Sequence, residues 1–440
     1  MTSSLGRDII SVIKLQILVT AVGLITQIFL ARYLGSEQKG VLDLFLLIPA
    51  VLASVIDVGL LSANTYLAGK RRVPTDILHS HSVLWSLLAS IILLLVAFVF
   101  RPSLQILFGN FNITFLILSI TLAGPTLYFS LWSSLMYGID KVQSVYRFNA
   151  TTSTLALVLY GIVAYTFGLK ISAFLYATTA IIMVKAIAAL VMLGFEVPIK
   201  LSVDIAALKI SLGYGVAVYL GLIINTLHLR LDQFFVSSLK GPADLANYAL
   251  AVRIAEIVWL LDYAIINASI FRITASTVEE ATRITQRMAR LVGSLIALAC
   301  IIMAIAAPFV IPLVFGTDFA PAAIPLMLLL PGTIAWSLSR ILAQFVAYQS
   351  GKPWQNMLVA SSGFLLNLLL IVVLIPVWGI RGAAISSSFS HILNLALTVW
   401  IFRRLSKAEI LPTFIPQKQD FVVLKEIVAQ YVRGQGGSQG

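Results

Sequence analysis

Charge is scarce in this chain. Only 11% of its 440 residues are Asp, Glu, Lys or Arg, whereas a soluble globular protein carries about 25%. Such a supply cannot coat a particle of this size in polar groups, which excludes a soluble enzyme and a disordered protein. Cysteine is almost missing: Cys300 stands alone in an apolar run, which excludes an internal disulfide and a cysteine-based metal site. Histidine is also rare, and His79 and His81, two apart at a helix start, have the wrong spacing to share a metal on one helical face. There is no Gly-rich phosphate cradle, no Ser/His/Asp arrangement and no metal-ligand cluster. No loop except the tail exceeds about twenty residues, so there is no room for a catalytic extramembrane domain. No catalytic residue and no cofactor are therefore assigned.

What the chain has is hydrophobic residues, 60% of the total, with a mean hydropathy of +0.99. A helical span needs about 20 mostly apolar residues to cross about 30 Å of hydrocarbon. Apolar runs predict twelve helices, at 10–32, 42–66, 79–100, 113–137, 149–168, 172–194, 212–238, 246–270, 291–314, 324–349, 357–377 and 382–402. Membrane β-strands would be near ten residues long and alternate in polarity; these runs are continuous and twice that length. The expected class is an all-α polytopic membrane protein. Met1 to Arg7 is short and polar, and a full span without a small-residue cleavage site follows, so no removable signal peptide is expected.

Lys and Arg outnumber Asp and Glu by 30 to 18, a net charge of +12. In a soluble domain this would suggest nucleic acid. In so apolar a chain it fits basic span ends facing cytosol and anionic lipid instead, and no nucleic-acid partner is expected. With a cytoplasmic N-terminus and twelve spans, 19 of the 30 Lys and Arg fall on the cytoplasmic side and 6 on the other. That asymmetry predicts both termini of a multi-pass membrane protein in the cytosol.

The sequence also repeats. Leu34-Gly35 is echoed by Lys240-Gly241, and Phe167-Gly168-Leu169-Lys170 by Trp378-Gly379-Ile380-Arg381. Leu107 to Phe111 resembles Val314 to Phe319, and Tyr137 is matched by Tyr348. The offsets of 206, 207, 211 and 211 drift in one direction. Two six-helix lobes follow, 1–195 and 212–405, joined by a cytoplasmic connector at 196–211 and followed by a cytoplasmic tail at 406–440. Because six is even, both lobes enter the membrane in the same sense, which implies a pseudo-twofold axis along its normal and a cavity between the lobes.

Ionisable groups near mid-bilayer are expensive, and their usual place is a bundle interior or a wet cavity. Arg230 and Arg253, counted from the outer ends of consecutive helices, fall about 10–12 Å below the outer surface. Lys14, Asp57, Lys185, Asp262 and Arg340 lie deeper toward the cytosol, and Asp232 and Glu256 accompany the outer tier. Glu256 follows Arg253 by three residues and shares its helical face, whereas Asp232 points away from Arg230. Arg230 therefore asks for an anion from elsewhere. Arg340 and Lys14 have a competing role as side chains that snorkel to the interface, and Lys185 is similar. Asp57 stands alone in an apolar helix, open either to proton or sodium coupling or to a salt bridge with another helix. Arg230, Arg253, Arg340, Lys14 and Lys185 are the candidate substrate-binding cations; Asp57, Asp232, Glu256 and Asp262 are the candidates for ion coupling or ion pairs.

Outside the spans, Thr277-Val278-Glu279-Glu280 reads as a capping box opening a short amphipathic cytoplasmic helix. Phe421, Leu424, Ile427, Val428 and Tyr431 recur at helical spacing and predict a surface helix lying on lipid. Most of the seven Trp suit an interfacial belt, with sugar stacking a weaker alternative for Trp132 or Trp336.

Three stretches resemble the polysaccharide-biosynthesis branch of the multidrug/oligosaccharidyl-lipid/polysaccharide exporter superfamily. They are Phe29-Leu30-Ala31-Arg32-Tyr33-Leu34-Gly35 with Gly40; Leu229 to Phe235 followed by Tyr248-Ala249-Leu250-Ala251; and Leu366 to Leu370 running to Ile375-Pro376 and Gly379 to Ala384. The resemblance implies two six-helix lobes and a flippase that moves an undecaprenyl-pyrophosphate-linked oligosaccharide to the outer leaflet. It also implies cationic cavity residues meeting the pyrophosphate, with Arg230 the first to carry over, and polysaccharide polymerase and export machinery as partners. A cation-coupled multidrug exporter of the same architecture is the competing expectation, and a membrane-embedded glycosyl or acyl transferase is the second.

Overall fold

The structure, a computed structural model, describes residues 2–107, 111–194, 197, 204–409, 411–415 and 417. These are almost all helical, with short turns between the helices and no strand among them. In chain order the helices are α1 (Thr2–Ile56), α2 (Leu60–Gly69), α3 (Thr75–Val99), α4 (Arg101–Leu107), α5 (Ile113–Thr121), α6 (Ala123–Gly138), α7 (Val142–Phe167) and α8 (Ile171–Gly194). Then come α9 (Ile205–Lys240), α10 (Pro242–Ile257), α11 (Trp259–Ala275), α12 (Val278–Phe315), α13 (Ala323–Gln344), which ends in a π turn at Phe345–Gln349, and α14 (Pro353–Ser406).

Eight stretches are long and apolar enough to cross a bilayer, and α9, bent by 53° near residue 217, makes a ninth. The backbone of α1 leaves helical geometry at Gly35, and that of α14 does so at Gly379. Each of these helices has more than fifty residues, roughly 80 Å at about 1.5 Å per residue, so each supplies two passes rather than one. The remaining hydropathy run, 246–270, falls on α10 and α11, which carry Arg253, Glu256, Asp262 and Arg272 and are not among the stretches long and apolar enough to cross a bilayer. The described helices thus follow the twelve hydropathy runs.

The backbone also carries the repeat. Gly35 (φ 69, ψ 176) and Gly241 (φ 91, ψ −178) share one conformation, and Gly168 (φ 62, ψ −145) and Gly379 (φ 56, ψ −135) share another. All four lie in the positive-φ region that favours glycine. Residues 108–110, in the third matched stretch, lie outside the described residues.

Polarity is arranged inside out. Leu88, Ile91, Leu95 and Val99 of α3, and Leu365, Leu369, Val372 and Val373 of α14, are exposed, as lipid-facing side chains should be. Polar side chains instead join helices to one another. Asn64 donates to Ser82 (3.0 Å), Tyr33 to the Ala164 carbonyl (2.7 Å) and Ser119 to the Phe45 carbonyl (2.7 Å), while the Ser339 and Thr398 hydroxyls are bonded at 2.8 Å. Lipid gives little hydrophobic drive to helix association, so packing and hydrogen bonds of this kind specify which helices meet.

Two compact units result, 1–247 with 311–320, and 248–310 with 321–440. Within the first, α9 packs on α1, α2 and α3. Within the second, α13 packs extensively on α14. The capping box forms in part, the Glu280 N–H donating to Thr277 Oγ1 at 3.3 Å. The helix it opens is not short, however, because neither Pro nor Gly intervenes before residue 293 and α12 runs unbroken into the membrane. Gln286 reaches Thr413 Oγ1 (3.0 Å) and Arg290 the Pro412 carbonyl (2.7 Å), so the chain just after α14 lies against the N-terminal part of α12. The predicted surface helix at 421–431 lies outside the described residues.

Candidate functional site

In the first unit the second pass is broken at Asp57-Val58-Gly59, between α1 and α2. A break in hydrocarbon frees backbone groups that must find partners. The Asp57 carboxylate accepts N–H bonds from Gly59 (3.2 Å) and Leu61 (2.9 Å), capping α2. The Trp85 indole N–H donates to the Ile56 carbonyl at 2.8 Å, and the Tyr219 hydroxyl donates to the Val55 carbonyl. Asp57 is buried here and acts on the backbone of its own break. Gly59 faces Gly215 of α9 so closely that a Cβ would fall 2.2 Å from the Gly215 carbonyl carbon. On the same pair of elements, the Tyr66 and Tyr214 rings stack at 4.3 Å and 5°, with the Arg72 guanidinium 5.5 Å from the Tyr66 centroid.

The other sequence candidates of this unit lie apart from the break. The Lys185 ammonium on α8 sits 3.9 Å from the centroid of Phe129, a cation–π arrangement backed by Trp132 and Phe148. Lys14 is exposed on α1. Arg230 is half-buried on α9. Asp232 is buried, and its Oδ1 accepts the Gln233 N–H at 2.8 Å.

In the second unit Arg253 is exposed and Glu256 half-buried on α10. Asp262 of α11 and Arg340 of α13 form an ion pair at 3.5 Å, the aspartate fully buried and the arginine side chain 23% exposed. One helical turn before each partner stands a tryptophan. The Trp259 and Trp336 centroids are 6.0 Å apart, and His391 of α14 joins them at 4.7 Å from Trp336 and 6.4 Å from Trp259. The Asp262–Arg340 pairing joins residues far apart in the chain and was invisible to helical spacing. Trp336 carries a sequence signal as a lone tryptophan near the middle of a span; Trp259 and His391 gave none. Among the described residues, no group of three or more His, Cys, Asp or Glu side chains is placed to hold a metal ion.

A sequence model of the family described as polysaccharide biosynthesis protein matches residues 29–324. Among solved structures, the chain is similar to the lipid II flippase MurJ in an inward closed conformation, at 14% identity and a TM-score of 0.70, over 98% of this chain and 94% of that one. It is also similar to an inward-facing MATE family multidrug resistance transporter of the MOP superfamily, at 16% identity and a TM-score of 0.72, over 89% and 96% of the two chains. A MOP superfamily transporter from Pyrococcus furiosus, described by the reverse polarity of its binding pocket, matches at 16% identity and a TM-score of 0.64, over 91% and 96%. No curated protein sequence matches significantly. At these identities the solved structures speak for the fold, that of an all-α polytopic membrane protein.

Proposed function

The chain belongs to the polysaccharide biosynthesis protein family, and from that premise we propose that it is a flippase for an undecaprenyl-pyrophosphate-linked oligosaccharide, moving it from the cytoplasmic to the outer leaflet. The observation that carries this reading is the family match over residues 29–324 in a chain whose fold is shared with the lipid II flippase MurJ. The physical chemistry supports it. A glycan diphosphate brings many polar groups, each costing several kcal/mol if left unpaired in hydrocarbon. A cleft open to one side at a time, lined by a cation such as Arg230, removes that barrier while the prenyl tail stays in lipid.

In this account residues 1–195 rock against 212–405 about the connector at 196–211. The protein works in the bacterial plasma membrane with both termini in the cytosol, beside polysaccharide polymerase and export machinery, and it carries out no covalent chemistry. A second reading, a cation-coupled multidrug exporter, draws support from the MATE neighbour and would use Asp57, Asp232, Glu256 or Asp262 as proton or sodium sites. Expression in one strain lacking its lipid-linked glycan flippase, and in one lacking its drug exporters, separates the two. Restored surface glycan without drug resistance supports the flippase; the converse overturns it.

A further inference from the structure

A groove runs between α3, α6 and α8 of the first unit, where α3 and α8 both pack on α6. It is a cavity of about 160 Å³, close in size to the apolar voids of about 150 Å³ that take up a benzene-sized guest. Small residues form its floor. Ser86 and Gly124 are buried, and a Cβ on Gly124 would fall 1.7 Å from Ser90 Oγ, so α3 and α6 touch there and leave a hollow above. Leu87, Met183 and Ile187 stand exposed at the rim.

The groove offers a guest nothing polar. The Ser86 and Ser90 hydroxyls donate to the carbonyls of Ser82 (2.8 Å) and Ser86 (3.0 Å), and the Tyr128 hydroxyl is bonded to His79 Nε2 at 3.0 Å. A sugar, a phosphate or an ion gains no contact here, and water finds too few partners to stay. The mouth opens into hydrocarbon. Its walls belong to three apolar spans, Thr75–Val99, Ile113–Gly138 and Ile171–Gly194, and the neighbouring Leu88, Ile91 and Val184 are exposed as well. A hydrocarbon chain is what fills such a space, because an unfilled apolar void forfeits dispersion contacts.

Depth decides which chain. Leu87 stands at the middle of α3, Pro125 at the middle of Ile113–Gly138 and Met183 at the middle of α8. The groove therefore lies about 15 Å from either edge of a hydrocarbon layer about 30 Å thick. A phospholipid acyl chain reaches that plane only with its terminal end. An undecaprenyl chain is much longer than half the layer, so it must lie along or across that plane, and its methyl branches suit a pocketed wall. We propose that this groove seats an isoprenoid stretch of the substrate's lipid tail at the midplane. The assignment rests on the flippase reading for its cargo and adds where the tail is held.

The test places the full chain in phosphatidylethanolamine/phosphatidylglycerol nanodiscs with undecaprenyl phosphate carrying a diazirine in its prenyl chain, and maps the crosslinked residues after illumination. Labelling is expected to concentrate on residues 83–90 and 183–190. Unlabelled undecaprenyl phosphate should displace it, and an equal excess of phosphatidylglycerol should not. Ala186→Phe, which sets a ring on a buried wall of the groove, should lose this labelling, whereas Leu369→Phe on the exposed face of α14 should keep it. The wild-type map and its competition keep the test decisive if Ala186→Phe does not fold. Labelling spread evenly over exposed helix faces, displacement by phosphatidylglycerol as readily as by undecaprenyl phosphate, or undiminished labelling of folded Ala186→Phe overturns the tail groove. Flipping of a lipid-linked oligosaccharide by the wild type in liposomes is scored separately. Flipping without groove labelling sinks the groove alone, and groove labelling without flipping sinks the flippase reading alone.

Discussion

Gly59 and Gly215 meet backbone to backbone: a Cβ on Gly215 would fall 2.5 Å from the Gly59 carbonyl oxygen, and one on Gly59 would fall 2.2 Å from the Gly215 carbonyl carbon. The crossing seats the broken second pass directly on α9. Gly215→Ala must part the two elements, and overpacking of this kind costs about 1–3 kcal/mol. Gly213→Ala, whose Cβ would meet nothing within 4 Å, leaves stability unchanged or slightly raised through helix propensity. Thermal unfolding of the two detergent-purified variants checks this, and equal melting temperatures would refute the crossing.

Asp57 caps α2 through two backbone N–H groups. Asn retains much of that capacity and Ala has none, the usual loss at a helix cap being about 0.5–2 kcal/mol. Asp57→Asn is expected to unfold close to the wild type and Asp57→Ala measurably below it. If Asp57 also couples an ion, Asp57→Asn loses the ion dependence of transport while remaining folded, which separates the two roles.

The Asp262–Arg340 pair spans α11 and α13 with its acid wholly buried. Removing one partner of a buried pair costs about 3–5 kcal/mol, and less on the Asp262 side here, because Arg340 keeps partial exposure. Arg340→Met should destabilise more than the double change Asp262→Leu/Arg340→Met, which leaves no unpaired buried charge. A double-mutant cycle by thermal or denaturant unfolding measures the coupling, and strict additivity would show that the pair contributes nothing.

The helical pattern is legible because most of the runs are long apolar stretches, and the repeat because Gly35, Gly168, Gly241 and Gly379 hold positive φ that few other residues tolerate. The break at Asp57-Val58-Gly59 lies hidden inside the apolar run 42–66, because a single glycine there looks like any helical glycine until its partner, Gly215, is brought against it. The ion pair was hidden for the same reason. Helical spacing relates residues three or four apart, and Asp262 meets Arg340 only after α11 and α13 pack. The charge counts placed Arg230 and Lys185 within spans but could not find the Phe129 ring beside the lysine.

The most direct measurement reconstitutes wild-type protein and Arg230→Ala into liposomes and follows the movement of a fluorescent undecaprenyl-pyrophosphate-linked oligosaccharide from one leaflet to the other. Wild type is expected to move the lipid, and the variant, incorporated in equal amount, to lose most of that activity. Equal rates for both proteins would contradict the account, because translocation would then proceed without the cation assigned to the diphosphate.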